Sequence, residues 1–341
     1  MRAAVFKGKG IVNVEERAMP AYGVTDVVIK VQACGICGTD VHIFDGAEGA
    51  AATTPPVILG HEFSGIVEKI GGKVEGVKIG DRVSVDPNNT CGSCYYCNRG
   101  LAHFCKHMIG YGTTTDGGFA QFCTVHYKQL YKLADHVSFE EGSMCEPIAC
   151  CLHGIDNCGI QPGGTVMIIG GGTIGLLMIQ LVKISGAAKV ILLEPISGKR
   201  ELGLKVGADV AIDPVNEDAE AVLDKKGITQ IDTVIECVGL KSTMTDALRF
   251  AGKNSVVMLF GLGKPDDEIS IKPFDIFKKE IQIKASFINP YTQGRAMNLI
   301  NSGMIDVKTL IGETISLEEL SAALADPSMR KKGKVIVNPW I

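Results

Sequence analysis

Thr165-Val-Met-Ile-Ile-Gly170-Gly-Gly172-Thr-Ile-Gly175 joins a compact apolar run to glycines spaced G-x-G-x-x-G, and a helical pattern follows over 173–184. In that arrangement the first glycine makes the turn, the second lets backbone approach a pyrophosphate, and the third lets helix and strand pack. The helix amino terminus then offers free N–H groups to the phosphates. Outward from this stretch, apolar runs at 189–193, 209–212, 231–237, 255–260 and 280–284 alternate with helical ones. That β-α-β rhythm predicts a parallel, doubly wound Rossmann sheet. Glu194 closes the second run. A carboxylate there accepts hydrogen bonds from both ribose hydroxyls and repels a 2′-phosphate, which indicates NAD rather than NADP. Two alternatives stay open: Glu194 could cap the helix starting near Ser197, and Lys199 with Arg200 lie close enough to assist a 2′-phosphate. The candidate cofactor residues are Gly170, Gly172, Thr173, Ile174, Gly175, Glu194, Lys199 and, further on, Val238 and Gly261.

The amino-terminal third has another texture. Short β-branched runs at 3–6, 11–14, 26–31, 63–70 and 80–85 are bounded by glycine and proline, the pattern of a small barrel or sandwich. The change comes after Pro147, the β-α-β rhythm fades near Ser286, and residues 333–338 read as a strand returning to the first domain. With 341 residues, two domains are expected: 1–150 catalytic, 151–287 nucleotide-binding, and 288–341 completing the first. A net charge of −4 with no basic stripe argues against nucleic acid as a partner. No apolar run is long enough to cross a bilayer, and the opening residues run straight into polar sequence with no signal peptide, so a soluble, cytoplasmic protein is expected.

Twelve cysteines in a chain of this size point to metal sites rather than disulfides. Cys91, Cys94, Cys97 and Cys105 give the spacing C-x2-C-x2-C-x7-C. Tight turns bring such thiolates onto one ion, and four sulfurs close a tetrahedral structural zinc site. An iron–sulfur cluster is the alternative, but no proline stands beside the fourth cysteine as it does in the bacterial ferredoxin run. A second set, Cys37, His61 and Glu62 with Glu146, offers the ligand types of a catalytic zinc centre that keeps a position open. Thr39 and His42 follow Cys37 closely enough to carry a proton away. Singly, each has a plain structural explanation; Glu146, for instance, could be a helix-start carboxylate favoured by the dipole.

Gly60-His61-Glu62, the four-cysteine segment and Gly170–Gly175, taken together, resemble the zinc-containing medium-chain dehydrogenases over essentially the whole chain. Cys145-Glu146-Pro147 resembles their polyol (sorbitol-type), threonine and butanediol branch, in which glutamate replaces a cysteine ligand. The resemblance implies a GroES-like catalytic domain beside the Rossmann domain, an α/β plus β chain. It places Cys37, His61 and Glu62 on a catalytic zinc, with Glu146 as an alternate or water-bridged ligand. It implies a Thr39–His42 proton relay with Asp40 in support, and a homo-oligomer, tetramer or dimer.

The activity this implies is zinc- and NAD-dependent oxidation of a secondary alcohol of a polyol or sugar alcohol, phosphorylated ones included, to the ketone. L-threonine or 2,3-butanediol oxidation would use the same machinery. A non-catalytic NAD-binding module would keep the glycines and lose the metal ligands, which are all present. For the substrate pocket, Phe44, Phe119, Phe287 and Tyr291 are candidate walls, and Arg295 with Lys272 candidate phosphate contacts. Ordinary packing or a solvated face explains each of the six as well.

Overall fold

The computed structural model describes residues 1–47 and 52–341, and these divide into two units: Met1–Ala149 with Pro290–Ile341, and Cys150–Asn289. The helix Cys145–Cys158 carries the chain from the first to the second.

In the second unit, six parallel strands stand in the order Val210–Ile212, Lys189–Leu193, Thr165–Ile169, Thr233–Glu236, Val256–Leu259, Gln282–Ala285. The chain order reverses direction across the pair Thr165–Ile169 and Thr233–Glu236. This is the switch point at which doubly wound sheets bind ligands, outside the carboxyl ends of the strands. Central strands covered on both faces must be apolar throughout. Val166, Met167, Ile168 and Val190–Leu192 are accordingly buried. The helix Thr173–Ile184 is apolar almost all round, burying Leu176, Leu177, Met178, Ile179, Leu181 and Val182, with Lys183 in the last turn complementing the dipole.

The first unit is mainly antiparallel. A seven-stranded sheet is centred on Asp26–Gly35, which pairs with Glu62–Ile70, Phe122–His126 and the late strand Lys334–Val337. A three-stranded sheet (Arg2–Gly8, Ile11–Glu16, Val57–Ile58) packs beside it. Alternate residues of these strands fill one core, with Val27, Ile29, Val31, Phe63 and Val67 inside. Three features of this sheet position the site. Cys37 follows the end of Asp26–Gly35, His61 and Glu62 open the neighbouring strand, and Lys334 opens the strand on the other side. The register sets Gly35 opposite both Glu62 and Ile336.

Candidate active site and metal clusters

The first cluster is local. Residues 91–105 hang from a two-residue ladder between Asn88–Asn89 and Ile109–Gly110. Little apolar surface is hidden there; Tyr95, Leu101 and Phe104 are all exposed. The four sulfurs nevertheless converge, with Cys91–Cys105 at 3.5 Å, Cys94–Cys97 at 3.6 Å and Cys91–Cys97 at 4.0 Å. Zinc–sulfur bonds of about 2.3 Å at tetrahedral angles put sulfurs roughly 3.8 Å apart, far beyond a disulfide's ~2.05 Å. The separations fit an ion. Backbone N–H groups already favour thiolate: those of Cys97 and Lys106 bring the Cys94 thiol down to about 6. Burial and the Cys94 and Cys105 sulfurs push Cys97 up to about 11, so Cys94 and Cys97 hold their protons unequally until a cation displaces them.

The second cluster is assembled from distant segments. One ligand atom each from Cys37, His61 and Glu62 lies within 4.8 Å of the others, a gap one ion can bridge. Cys37 caps the short helix Gly38–Phe44. Asp40, fully buried on that helix, accepts the Cys37 N–H at 2.8 Å and faces His61 Nδ1 at 3.4 Å. One carboxylate thereby orients two candidate ligands, leaving the other imidazole nitrogen for a metal. Burial depresses the His61 pKa, but the Asp40 and Cys37 charges outweigh it and hold the ring well above the ordinary histidine range until a metal displaces the proton.

Sequence reasoning missed the positive member of this site. Lys334 Nζ pairs with Glu62 Oε2, both side chains being almost wholly buried. Burial works against the Lys334 charge, yet Glu62, Cys37 and Glu146 together raise its pKa above the ordinary value. Glu146, buried at the start of its helix, is close enough to act on Lys334 but stands outside the Cys37–His61–Glu62 triplet. Gly35 makes the room: a Cβ there would lie 2.7 Å from Lys334 Cε and collide with Glu62 Oε2. The only sequence trace of the pair was a lysine at the head of the closing strand.

Thr39 and His42 stand three residues apart on one face of the short helix, both partly exposed, while Asp40, Ile43 and Phe44 face inward. Phe44 and Phe119 are packed in the hydrophobic core, the ordinary-packing side of the two readings open for them. Phe287 and Tyr291 are exposed, and Lys272 and Arg295 belong to different units.

In the nucleotide unit, Gly170, Gly172 and Gly175 form the turn into the helix Thr173–Ile184, whose first turn holds Thr173 and Ile174. Glu194 Oε2 accepts the Gly171 N–H at 2.6 Å and Oε1 accepts the Ile196 N–H at 2.8 Å. Each oxygen keeps a lone pair for a ribose hydroxyl, so the carboxylate is pre-positioned and ties down its own turn at once. Gly171 was absent from the sequence-based set; its Cβ would sit 2.9 Å from Glu194 Cγ, so this longer acid needs glycine opposite. Lys199 is partly buried in the first turn of the helix Ser197–Lys205. Glu236 was also missed. Fully buried at the end of its strand, its Oε1 accepts the Val238 and Gly239 N–H groups, and its carbonyl accepts the Gly261 N–H. One residue therefore holds both Val238 and Gly261.

Comparison with known proteins agrees along the chain. Residues 23–135 match the alcohol dehydrogenase GroES-like domain and residues 173–302 the zinc-binding dehydrogenase domain. D-arabinitol dehydrogenase 1 of Uromyces fabae is 32% identical over 92% of this chain and 90% of its own length. L-threonine 3-dehydrogenase of Caldanaerobacter subterraneus subsp. tengcongensis is 34% identical over 96% and 95%. A zinc-binding dehydrogenase structure from Sinorhizobium meliloti 1021, bound to NADP, superposes with a TM-score of 0.94 at 38% identity, covering 99% of each chain.

Proposed function

This chain belongs to the zinc-binding alcohol dehydrogenases, and within that family we propose that it oxidises a secondary alcohol of a polyol or sugar alcohol to the ketone with NAD as hydride acceptor. The observation that carries the reading is the donor set. Around Cys37 and His61 the charges are carboxylates, Glu62 and Glu146, balanced by Lys334. Cys37, Glu62, Glu146 and the nearby Asp40 carry four negative charges against the single Lys334 cation, so the site suits a divalent ion such as zinc and a neutral polyhydroxylated substrate rather than an anionic one. Bound zinc would supply Lewis acidity at the reacting oxygen.

The chain's own residues do the rest. Cys37, His61 and Glu62 would hold the zinc, with Glu146 beside them as an alternate ligand. Asp40 fixes Cys37 and His61. Thr39 would accept the substrate proton while passing its own hydroxyl proton on toward His42 and solvent, and bound NAD would supply the hydride acceptor. Cys91, Cys94, Cys97 and Cys105 hold a structural zinc. The loop Gly170–Gly175 holds the pyrophosphate and Glu194 the adenosine ribose.

The likeness to L-threonine 3-dehydrogenase supports a second reading, oxidation of L-threonine. Reduced-nicotinamide formation on sorbitol, xylitol, arabitol, galactitol, their phosphates, L-threonine, 2,3-butanediol and ethanol separates the two. A best substrate among the polyols is expected; ethanol turned over as well as any polyol would sink the proposal. Two further parts belong to it. The edge strand Gln282–Ala285, with Ile283 exposed and Phe274 and Phe277 projecting nearby, supports homo-oligomerisation through this edge. That none of the twelve cysteines forms a disulfide supports a reducing, cytoplasmic setting, and no helix among the described residues is long and apolar enough to cross a membrane.

A further inference from the structure

The Glu194 carboxylate accounts for only part of the cofactor choice, because an arginine stands on the same turn. Arg200 lies in the helix Ser197–Lys205, six residues beyond Glu194, and an arginine near the ribose-binding acid is the residue type that receives a 2′-phosphate. Here its guanidinium is already engaged. Nη1 donates to the Glu194 carbonyl at 2.8 Å and the Pro195 carbonyl at 2.7 Å, and pairs with Asp213 Oδ2 at 3.1 Å. The ion pair is well shielded, with the Asp213 side chain 10% and the Arg200 side chain 21% exposed.

Asp213 is itself held from several sides. It follows the strand Val210–Ile212, and its Oδ1 accepts the Val215 N–H at 3.0 Å and the Asn216 N–H at 3.4 Å. Its Oδ2 accepts the Asn216 side-chain amide at 3.1 Å, and its own N–H donates to Glu217 Oε2 at 2.8 Å. A carboxylate fixed by three such bonds, on a residue whose backbone N–H is also tied to Glu217, cannot follow a mobile arginine; the arginine must stay with it. These hydrogen bonds, from the Asn216 side chain above all, also keep the Asp213 carboxyl below its ordinary range and hence charged.

We propose that Asp213 is a second determinant of the choice between NAD and NADP, acting by tethering Arg200 through its Nη1 so that the guanidinium cannot swing to a 2′-phosphate. The proposal rests on the reading that Glu194 binds the adenosine ribose. Two carboxylates then divide the task. Glu194 repels the phosphate directly, and Asp213 is a positioning residue that withholds the cation able to compensate. The S. meliloti structure bound to NADP shows that a fold this similar can hold the phosphorylated cofactor, so the fold alone does not exclude it.

The test is a double-mutant cycle read in two ways: kcat/KM with NADP relative to NAD, and binding of 2′,5′-ADP relative to 5′-ADP by calorimetry. The second readout needs no turnover. Glu194→Ala should raise the NADP ratio, while Asp213→Asn alone should stay selective for NAD because Glu194 still repels. The double variant should exceed the product of the single effects by on the order of tenfold, the worth of one charge-assisted hydrogen bond to phosphate. Adding Arg200→Met should erase that excess. Asp213→Ser serves as a second probe, because asparagine could keep hold of Arg200 through its amide oxygen. A double variant that merely multiplies the single effects, with serine as with asparagine, overturns the proposal. So does an excess that survives Arg200→Met, since Lys199 would then carry it. A wild-type protein that binds 2′,5′-ADP as well as 5′-ADP removes the NAD reading itself, whereas a selective wild type with an additive cycle removes only the role of Asp213.

Discussion

The two cysteine-bearing clusters of the first unit are built in opposite ways. The segment 91–105 gathers four like ligands from fifteen consecutive residues and buries almost nothing else. The set around Cys37 takes unlike ligands from a helix cap and a strand start, adds a lysine from the last strand, and buries nearly all of them. A local, all-sulfur set closes around its ion and needs the ion for its shape. A non-local, mixed set is shaped by the sheet that carries it, so the fold holds its geometry and leaves the metal free for chemistry. The difference predicts that the two sites fail differently.

Cys37→Ser and Cys97→Ser should each cost about one zinc equivalent per chain by elemental analysis. The first should abolish turnover with thermal stability and cofactor binding kept. The second should expose residues 91–105 to proteolysis, because only slight apolar burial, such as Ala102, remains to order them. If Cys37→Ser unfolded the chain, or Cys97→Ser left the segment resistant, the contrast between a site held by its fold and a site held by its ion would collapse.

Lys334→Met strikes at the sheet-borne site. Glu62 would remain buried with its cation gone, costing about 3–5 kcal/mol of stability in the zinc-depleted protein by urea denaturation. Zinc should restore part of that, since the ion supplies the missing positive charge, and Lys334→Arg should lose far less than the methionine variant. A depleted Lys334→Met protein as stable as wild type would show the pair to be incidental. Gly35→Ala should act in the same place by crowding, at about 1–3 kcal/mol. Its added methyl meets both members of the pair, so its cost should shrink when Lys334 is already methionine, a non-additivity a double-mutant cycle detects.

The same contrast explains how far the sequence could be read. The four cysteines and the glycine loop lie within short windows, where spacing alone encodes geometry, and the strands around Gly170 followed from their apolar runs. Cys37, His61 and Glu62 could be grouped from sequence only through the resemblance, because twenty-three residues separate the first two and no local period connects them. Lys334 was invisible for the stronger reason that its meaning depends on strand order: it matters because the closing strand pairs beside Gly35, nearly three hundred residues away. Asp213 and Glu236 look in sequence like ordinary strand-end acids. Only the turns folded over them show that each holds a segment of the nucleotide unit. Phe44 and Phe119 stayed open between pocket wall and ordinary packing, since aromatics near a motif fill a core as readily as they line a pocket; the core holds both.

The smallest expected effect is a control in the other unit, where neither metal cluster reaches. Asp209 pairs with Lys183 at 2.7 Å and accepts the Val190 N–H at 2.6 Å. Burial raises its carboxyl pKa, but the Lys183 ammonium and the Val190 N–H outweigh it and hold the carboxyl below its ordinary range. A carboxylate whose folded pKa is depressed adds stability above its unfolded pKa of about 3.9, and that stability is lost as pH falls through the lower folded value. Asp209→Asn should therefore lower the stability of the protein at pH 7 by no more than about 1 kcal/mol, the pair being partly exposed. The deficit should shrink progressively as melting is followed below the unfolded pKa of about 3.9. Because this pair touches no candidate ligand, the loss should be the same with and without zinc. A zinc-dependent loss would mean that the two units share stability with the metal sites, and that neither cluster is as self-contained as the contrast between them requires.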